Sequence, residues 1–547
     1  LPLLVRLCAL SGTTLPASDL DDAVAKILSR PVLSGSTVSV LVRRVGSGEV
    51  IYSHAPNRLL PPASTSKLLS SAGALAILGK NYRFRTPVVA TGPIENGRLK
   101  GDLVLVASGD PNLSQRVNPK GRLRFRDTDH SYAGFSGDAS TVPGDPLVVL
   151  KSLARKVAKA GVTNVLGDVI VDDGLFAERN DSFVGNFSAL CVNDNLIDVR
   201  IAPGDRIGDL VRIAVLPRSD AIQVRVLART VTAGNPLKLW IESKPGAANF
   251  EVHGTMPITA SPRLRVGSIR DPAQTGASIL KELLEAEGIE IDGRARTARF
   301  GPKVYARQRK LAEHVSAPLS EALRVILKVS QNVHSTMLPV IVGALKGERA
   351  DRVGGFERMR DYFNRVSLDT KNIVVQSGSG GGHVDRLSSR FLVDLLTHLA
   401  SRTDFHVIWD ALPISGVDGT LSSRLRTPSL RTRVRAKTGT LLYRGAFSDR
   451  WVYVSKALAG YIDLTGRGRR QDLAVFSITI ANTLVESQRR GADQLFRIQE
   501  DILQAVVDAE RAARIERAVE RSSLPGSKPA RPDTKPAGVA PTGRSRS

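Results

Sequence analysis

A serine and a lysine one helical turn apart are the first residues in this sequence that could do chemistry. Ser64 and Lys67 follow Pro61-Pro62, and residues 64–78 have the pattern of an Ala- and Leu-rich helix ended by Gly79. Helical spacing places the hydroxyl and the amine on one face. A lysine can accept the serine proton when burial and nearby charge lower its pKa, so Ser64 is a candidate nucleophile and Lys67 its candidate base.

The same spacing occurs a second time in the chain. Ser278 and Lys281 also lie in a segment with helical periodicity. Two residues at this spacing therefore do not identify a nucleophile by themselves. We expect residues 278–281 to be an ordinary turn of a helix surface.

A second candidate group follows the apolar helical segment 323–329. In Ser330-Gln331-Asn332, the Ser330 hydroxyl could relay a proton between a lysine and a leaving amine. The Asn332 amide could hold a peptide group of the substrate. In isolation this pattern is common by chance.

The third candidate group is the run Lys437-Thr438-Gly439-Thr440. On an edge strand, Gly439 would let a substrate backbone approach closely. The Thr440 N–H could supply one oxyanion donor, with the Ser64 N–H as the other. Lys437 and the threonine hydroxyls could hold a carboxylate. The same letters also suit a plain turn.

Helices and strands must bring these groups together, and their periodicity predicts a mixed α/β (α+β) chain. Strand patterns at 37–42 and 50–52 form a hairpin, and 473–480 is a further apolar strand. Between residues 84 and 265, short β-like runs alternate with turn residues. We therefore divide the chain into a catalytic domain (17–83 and 266–505), an inserted β-rich module of one or two subdomains (84–265), and a C-terminal part (506–547).

Charge and composition exclude several other classes of protein. The formal net charge is +24, which favours nucleic acid, anionic lipid or acidic wall polymer as partners. No nucleic-acid module occurs and only 5% of residues are aromatic, so we expect no specific nucleic-acid binding. Two cysteines and eight histidines without HxxxH or HxH spacing predict neither a disulfide framework nor a metal site.

The two ends of the chain have compositions of their own. Residues 1–16 contain an apolar run followed by small residues, which we interpret as the end of a secretory signal, with a frayed start as the alternative. No stretch of 18 or more apolar residues occurs. An amphipathic helix covers about 489–519, and the residues after Arg521 have the composition of a disordered basic tail. The tail either binds anionic wall or lipid surface or has no partner.

The order of the three motifs is far more specific than any one of them. SxxK, SxN and KTG in this order resemble the penicillin-recognising serine enzymes. The large insertion between the first two motifs resembles the D-alanyl-D-alanine carboxypeptidase/endopeptidases, the class C low-molecular-mass penicillin-binding proteins. The resemblance covers roughly residues 20–505. Its local matches lie at 48–52, 60–64, 101–103, 108–113, 167–173, 192–195, 377–380, 386–388 and 412–421. Residues 443–455 depart from it as an insertion beside the third motif.

This resemblance implies a DD-peptidase/β-lactamase-like transpeptidase domain split by the inserted module. It implies hydrolysis of D-alanyl peptide bonds in peptidoglycan through a Ser64 acyl-enzyme, without a cofactor or a metal. Stem peptides would be substrates and β-lactams covalent inhibitors. The enzyme would work outside the cytoplasm, in the periplasm or cell envelope.

Two other functions stay open on the sequence alone. One is a non-catalytic cationic envelope protein that binds wall polymer through its charge. The other is a β-lactamase or esterase on the same fold. Covalent labelling by penicillin separates the first from an enzyme, and release of D-alanine from a muropeptide separates the second.

Overall fold

The computed structural model describes residues 18–523, apart from 136 and 138. The predicted signal remnant at 1–16 and the basic tail beyond residue 523 lie outside the described residues. In the part that is described, no helix is both long enough and apolar enough to cross a membrane.

The helices and strands of the described residues are as follows. The α-helices are α1 (Ser18–Leu28), α2 (Lys67–Leu78), α3 (Val148–Lys159), α4 (Pro272–Ala286), α5 (Leu319–Val329), α6 (Asn332–Lys346), α7 (Arg352–Arg365), α8 (Ser389–Ser401), α9 (Phe405–Ala411) and α10 (Gln488–Ser523). Short 3₁₀ turns lie at Pro31–Leu33, Ala63–Ser66, His130–Tyr132, Asn193–Asn195, Pro302–Tyr305, Gly419–Leu421 and Arg470–Asp472. The strands are β1 (Thr37–Arg44), β2 (Val50–His54), β3 (Arg85–Ala90), β4 (Ile94–Glu95), β5 (Arg98–Leu99), β6 (Leu103–Val106), β7 (Asn164–Val165), β8 (Val169–Asp172), β9 (Asn180–Asp181), β10 (Gly185–Asn186), β11 (Leu196–Ala202), β12 (Arg212–Leu216), β13 (Gln223–Val226), β14 (Arg229–Val231), β15 (Lys238–Lys244), β16 (Asn249–Pro257), β17 (Arg263–Ser268), β18 (Glu290–Ile291), β19 (Ala295–Ala298), β20 (Arg309–Val315), β21 (Val434–Arg444), β22 (Trp451–Asp463), β23 (Leu473–Ala481) and β24 (Thr483–Val485).

The catalytic domain contains one antiparallel sheet. Its strand order is β2-β1-β23-β22-β21, with β24 paired to the start of β22. The predicted strand at 473–480 is confirmed as β23, which pairs with β1 on one side and β22 on the other. This central strand is buried along its whole length, which explains its unbroken apolar sequence. β21 lies at the edge of the sheet.

Helices cover both faces of this sheet, as the alternation of side chains in β1 illustrates. Val40 and Val42 belong to a core shared with α1 and α10. Leu41, on the opposite face, belongs to a core shared with α2, α5 and α8. Successive strand residues point to opposite faces, so the apolar run in β1 serves two cores.

Strands on both sides of the boundary predicted at residue 265 belong to one sheet. The main sheet of the inserted module has the order β19-β8-β6-β3-β20, so residues 295–298 and 309–315 are part of it. Helix α4 packs on this sheet, against β8 and β19. The boundary predicted at 265 therefore divides the strands of this sheet. The helical periodicity of α4 marks a buried face but does not say which sheet buries it. We propose residues 85–315 as the inserted module.

With the proposed boundaries, the second serine–lysine pair belongs to the inserted module. Ser278 and Lys281 lie in α4, and the Lys281 ammonium forms an ion pair with Glu285 at 2.5 Å. Such an i,i+4 pair is typical of a helix surface, as expected.

Candidate active site

The candidate nucleophile lies on a tight turn before a buried helix. Residues Ala63–Ser66 form a 3₁₀ turn, and the α-helix begins only at Lys67. The turn leaves very little room around it. A Cβ atom added to Gly380, whose φ is +79°, would lie 1.8 Å from the carbonyl oxygen of Ala63. Only glycine allows this loop to approach the turn so closely.

Lys67 is fully buried and in contact with the candidate nucleophile. Its Nζ atom lies 2.8 Å from each of three oxygens: Ser64 Oγ, Asn332 Oδ1 and the carbonyl oxygen of Ser379. Burial, and then the charge of Lys437, lower the pKa of Lys67 well below its ordinary value. A neutral amine can donate to Asn332 and Ser379 and still accept a proton from Ser64, which is the requirement for a general base.

The second motif links the two helices that face Lys67. Ser330 ends α5 in the left-handed conformation, with φ of +62°, and Asn332 begins α6. Serine rarely adopts this conformation, and such residues are common at functional sites. The Lys437 Nζ atom donates to Ser330 Oγ at 2.8 Å and to the Thr438 carbonyl at 2.7 Å. Burial lowers the pKa of Lys437 to about 7.

The third motif lies on the edge strand β21, next to the nucleophile. A Cβ atom on Gly439 would lie 2.9 Å from the Pro62 carbonyl oxygen and 3.2 Å from the Ala63 Cβ. Glycine is thus required for the strand to pack on the nucleophile turn, a reason beyond the substrate approach that the sequence suggested. Thr438 donates a hydrogen bond to Thr420 at 2.9 Å, and the Thr440 side chain is exposed.

The structure thus brings together all eight residues that the sequence singled out. Ser64, Ser330, Thr438 and Thr440 line one cleft of about 350 Å³. The other members lie against it: Lys67 and Lys437 contact the two serines, Asn332 contacts Lys67, and Gly439 packs on the turn that carries Ser64.

Sequence reasoning missed a buried polar cluster behind the second motif. Asp194 accepts hydrogen bonds from His130 Nε2 at 2.6 Å, His334 Nε2 at 2.7 Å and Gln331 Nε2 at 3.0 Å. Asp198 bonds the other ring nitrogen of His130 at 2.6 Å. Gln331 lies between the serine and the asparagine of the second motif. Its hydrogen bond to Asp194 therefore connects the cluster to that motif. No sequence spacing brings these residues together; the fold does.

The inserted module also contributes directly to the cleft. Tyr132 lines it and donates a hydrogen bond to the Ser330 carbonyl oxygen at 2.7 Å. Burial raises the pKa of Tyr132, so the phenol stays protonated and remains a donor. Asp127 lines the same cleft and accepts a hydrogen bond from the Gly419 N–H at 2.7 Å.

Three groups of side chains in the described residues have ligand types suited to a metal ion. Two are buried and share Asp194, whose oxygens already accept three hydrogen bonds. In the third, Glu242 and Glu251 pair with Lys244 and His253. None of the three includes Ser64 or Lys67.

A model of one peptidase family matches residues 20–501, almost the whole of the described chain. The chain belongs to the D-Ala-D-Ala carboxypeptidase 3 (S13) family. The resemblance predicted from the sequence is thereby confirmed. The activity class is that of the S13 family, a serine-type D-Ala-D-Ala carboxypeptidase.

A curated relative agrees with this assignment, and solved structures have the same fold. The D-alanyl-D-alanine carboxypeptidase of Actinomadura sp. (strain R39) is 28% identical over 447 residues, which are 78% of this chain and 77% of that protein. The crystal structure of penicillin binding protein 4 (dacB) from Haemophilus influenzae has a TM-score of 0.69 at 20% identity, covering 90% of this chain and 98% of that one. The same protein complexed with a novel β-lactam gives a TM-score of 0.67 at 22% identity, with the same coverage. The predicted DD-peptidase-like fold is therefore confirmed.

Proposed function

We propose that this S13 peptidase hydrolyses D-alanyl bonds in the stem peptides of peptidoglycan through an acyl-enzyme on Ser64. The observation that carries the proposal is the position of the buried Lys67 amine, 2.8 Å from Ser64 Oγ. A lysine kept neutral in contact with a serine hydroxyl activates that hydroxyl as a nucleophile.

In the first step the Ser64 oxygen attacks the carbonyl carbon of the penultimate D-alanine, and its proton passes to Lys67. Collapse of the tetrahedral intermediate forms the ester and breaks the C–N bond. Ser330, held by Lys437 at 2.8 Å, relays a proton to the leaving amine. Asn332, which contacts Lys67, orients the acyl chain.

The negative oxygen of the intermediate needs donors that are already in place. The backbone N–H groups of Ser64 and Thr440 are the proposed oxyanion donors, since β21 is an edge strand beside the nucleophile turn. The hydroxyls of Thr438 and Thr440, with Lys437, are the proposed contacts of a substrate carboxylate.

In the second step water hydrolyses the ester and frees Ser64. A β-lactam would form the same kind of ester, but its leaving amine stays attached through the opened ring. It would therefore act as a covalent inhibitor. The Haemophilus protein complexed with a β-lactam has the same fold, which supports this part of the proposal.

We place the enzyme outside the cytoplasm, where peptidoglycan stem peptides are accessible. The reaction uses water and no nucleotide, which suits such a site. The net charge of +24 favours retention on anionic wall or lipid surfaces, and the basic residues after Arg521 are the proposed contact.

The test is release of D-alanine from a purified pentapeptide muropeptide, with inhibition by penicillin. We expect the wild type to release D-alanine, and the Ser64→Ala and Lys67→Met variants to lose at least about 1,000-fold in rate. Ser278→Ala, which removes the serine of the second SxxK spacing, is the matched control and should keep full activity. A folded wild type that binds muropeptide without cleaving it would instead support a wall-binding protein. Rapid turnover of β-lactams without D-alanine release would support a β-lactamase.

A further inference from the structure

The end of the C-terminal helix and one turn of the catalytic sheet form a groove lined by arginines. This arginine groove has a volume of about 770 Å³ and includes residues of α10 and of the turn that joins β22 to β23. Its lining consists of Arg467, Arg511, Arg514, Ile515, Arg517 and Ala518. None of the lining side chains that the structure describes is a carboxylate. Arginine side chains stay protonated, so the positive charge of the groove is fixed.

Helical spacing places the cations of α10 on one face. Four of the groove residues stand at i, i+3, i+4 and i+7, counted from Arg511, and such positions share a face. Glu510, which precedes them, is paired with Arg44 at 2.5 Å. Glu516 is two residues from Arg514, and residues two apart on a helix do not face each other. The helix therefore presents positive charge to the groove.

On the other side of the groove, a tight turn presents Arg467. Asp463, at the end of β22, accepts hydrogen bonds from the backbone N–H groups of Thr465 at 3.0 Å, Gly466 at 2.8 Å and Gly468 at 2.6 Å. Arg467 is exposed between the two glycines, whose φ angles are +76° and +68°. The carboxylate of Asp463 is thus bound by the backbone of the turn rather than by the arginine that the turn presents.

The positive charge of the groove is not balanced by ion pairs. Among the side chains that the structure describes, no ion pair involves any of the four arginines of the groove, whereas Arg402 on another surface is 2.7 Å from Asp404. A further cation lies nearby. Burial lowers the pKa of Arg433, Asp463 opposes this shift, and the charge of Arg514 adds to it. Like charges repel at close range, and an anion bound in the groove would relieve the repulsion.

The arginine groove also contains an exposed apolar side chain. Ile515 is 56% exposed and lies with Ala518 among the guanidinium groups. A guanidinium fork matches two oxygens of a phosphate, and an exposed isoleucine gains by burial against an apolar partner. The surface of an anionic bilayer offers both, because its phosphates lie directly above the acyl chains. A polar wall polymer offers the phosphate or carboxylate alone.

We propose that the arginine groove binds the phosphate headgroups of anionic phospholipids and so holds the enzyme on a membrane surface. The same charge continues along the chain, since residues 524–547 contain five lysines and arginines and one aspartate. This inference goes beyond the proposed function and does not depend on the chemistry of Ser64.

Two elements connect the arginine groove to the active-site cleft and separate the two sites. α10 contributes Phe496 to the cleft and Arg511 to the groove, about 22 Å apart at 1.5 Å per helical residue. β22 runs from Lys456 at the cleft to Asp463 at the turn, about 23 Å at 3.3 Å per strand residue. Lipid bound in the groove would therefore leave the cleft open to peptidoglycan.

The experiment measures co-sedimentation of the full chain with two kinds of vesicle, phosphatidylcholine alone and phosphatidylcholine mixed with phosphatidylglycerol. We expect binding to the mixed vesicles and little binding to phosphatidylcholine. The triple variant Arg511→Gln/Arg514→Gln/Arg517→Gln should bind the mixed vesicles about 100-fold more weakly, because each basic residue near an anionic surface contributes on the order of 5-fold.

The matched control removes the same charge from a different surface. Arg98→Gln/Arg206→Gln/Arg218→Gln replaces three exposed arginines of the inserted module. Charges more than a Debye length from the lipid surface are screened, so this variant should bind within about 3-fold of wild type. Equal losses in the two triple variants, or equal binding of wild type to both kinds of vesicle, would overturn the proposal.

A second comparison separates a membrane from a soluble polyanion. Inorganic polyphosphate has the phosphate chemistry without acyl chains. Ile515→Ser should weaken binding to the mixed vesicles by about 5-fold, from partial loss of apolar burial, and leave polyphosphate binding unchanged. If Ile515→Ser binds the vesicles as wild type does, the assignment to lipid is wrong and a phosphate-bearing wall polymer is the better ligand.

The outcomes are distinguishable from a failure of the proposed function. Both triple variants should release D-alanine from a soluble muropeptide at the wild-type rate, because the groove is far from the cleft. A wild type that binds mixed vesicles but releases no D-alanine would contradict the proposed function alone. If the groove variant does not fold, as judged by its thermal transition, Arg511→Gln replaces it, with an expected loss of about 5-fold.

Discussion

Replacing Asp194 by asparagine tests the buried cluster that supports the second motif. Burial alone would raise the pKa of Asp194, but His334 and His130 hold it well below its ordinary value. Burial alone would lower the pKa of His130, but Asp198 and the other carboxylates raise it well above its ordinary value. The folded protein therefore contains a buried imidazolium between carboxylates. Asp194→Asn keeps the shape and removes one of these charges.

The size of the effect follows from the contacts that remain. Breaking a buried charge pair by removing one partner costs about 3–5 kcal/mol. We expect the lower end, about 3 kcal/mol, because Asp198 still accepts from His130 at 2.6 Å. Gln331 also loses its 3.0 Å bond to a charged oxygen, so the second motif loosens. We expect penicillin acylation to slow by about 10-fold, from one weakened hydrogen bond to a charged group.

The loss of stability should depend on pH with a definite sign. The lowered pKa of Asp194 stabilises the fold above its ordinary value of 3.8, and this contribution is lost as pH falls through the lowered folded value. The raised pKa of His130 stabilises the fold fully below its ordinary value of 6.5, and this contribution is lost as pH rises through the raised folded value. The difference between wild type and variant should therefore be largest at about pH 4–6.5 and decrease at higher pH.

The assay is a pair of thermal or urea unfolding curves at several pH values, with acylation rates measured on the same samples. Asp205→Asn, in the same inserted module, is the matched control because Asp205 forms an exposed pair with Arg212 at 2.8 Å. We expect only a small change in that variant. If Asp194→Asn is no less stable than Asp205→Asn, the account of the cluster is wrong.

Three further predictions concern the site itself. Acylation should fall as pH rises through about 7, where Lys437 loses its charge, and Lys437→Arg, which stays charged, should remove that decrease in a pH–rate profile. Gly380→Ala should reduce the acylation rate by about 100-fold or more, because the new Cβ atom would lie 1.8 Å from the Ala63 carbonyl oxygen. Gly35→Ala is the control: Gly35 has a similar φ of +77° and no atom within 4 Å of an added Cβ, so this variant should lose stability but not acylation rate. Tyr132→Phe should slow acylation by about 5-fold by removing one hydrogen bond of 2.7 Å, and an unchanged rate would show that the inserted module does not support the second motif.

The sequence pointed to the family because three short motifs occur in one order with a large insertion between the first two, and the structure brings the residues of these motifs together. The apolar strand β23 and the helix after Ser64 followed from period and composition, whereas the positions of β21 and β23 within the sheet did not. The turn at Ala63–Ser66 is 3₁₀ rather than α, and Gly380 and Gly439 pack closely on it. These glycines are far from the turn in the sequence, so the residues of the turn contain no pattern that predicts the contact.

The remaining differences have the same cause. The module boundary proposed at 315 differs from the predicted one at 265 because the apolar face of α4 does not indicate which sheet covers it. The proposed insertion at 443–455 is an extension of the β21–β22 hairpin, with strand pairing continuing to Arg444 and Trp451. The hydrogen bond between Lys456 and Thr440 could not be predicted from the sequence, because it depends on the register between β21 and β22.

We propose that Ser64, and not another serine, forms the acyl-enzyme. The most direct measurement is mass spectrometry of the intact, folded protein after reaction with penicillin, followed by peptide mapping of the adduct. We expect a single adduct on the peptide that contains Ser64, absent in Ser64→Ala and retained in Ser278→Ala. An adduct on another serine, or no adduct on the folded wild type, would contradict it.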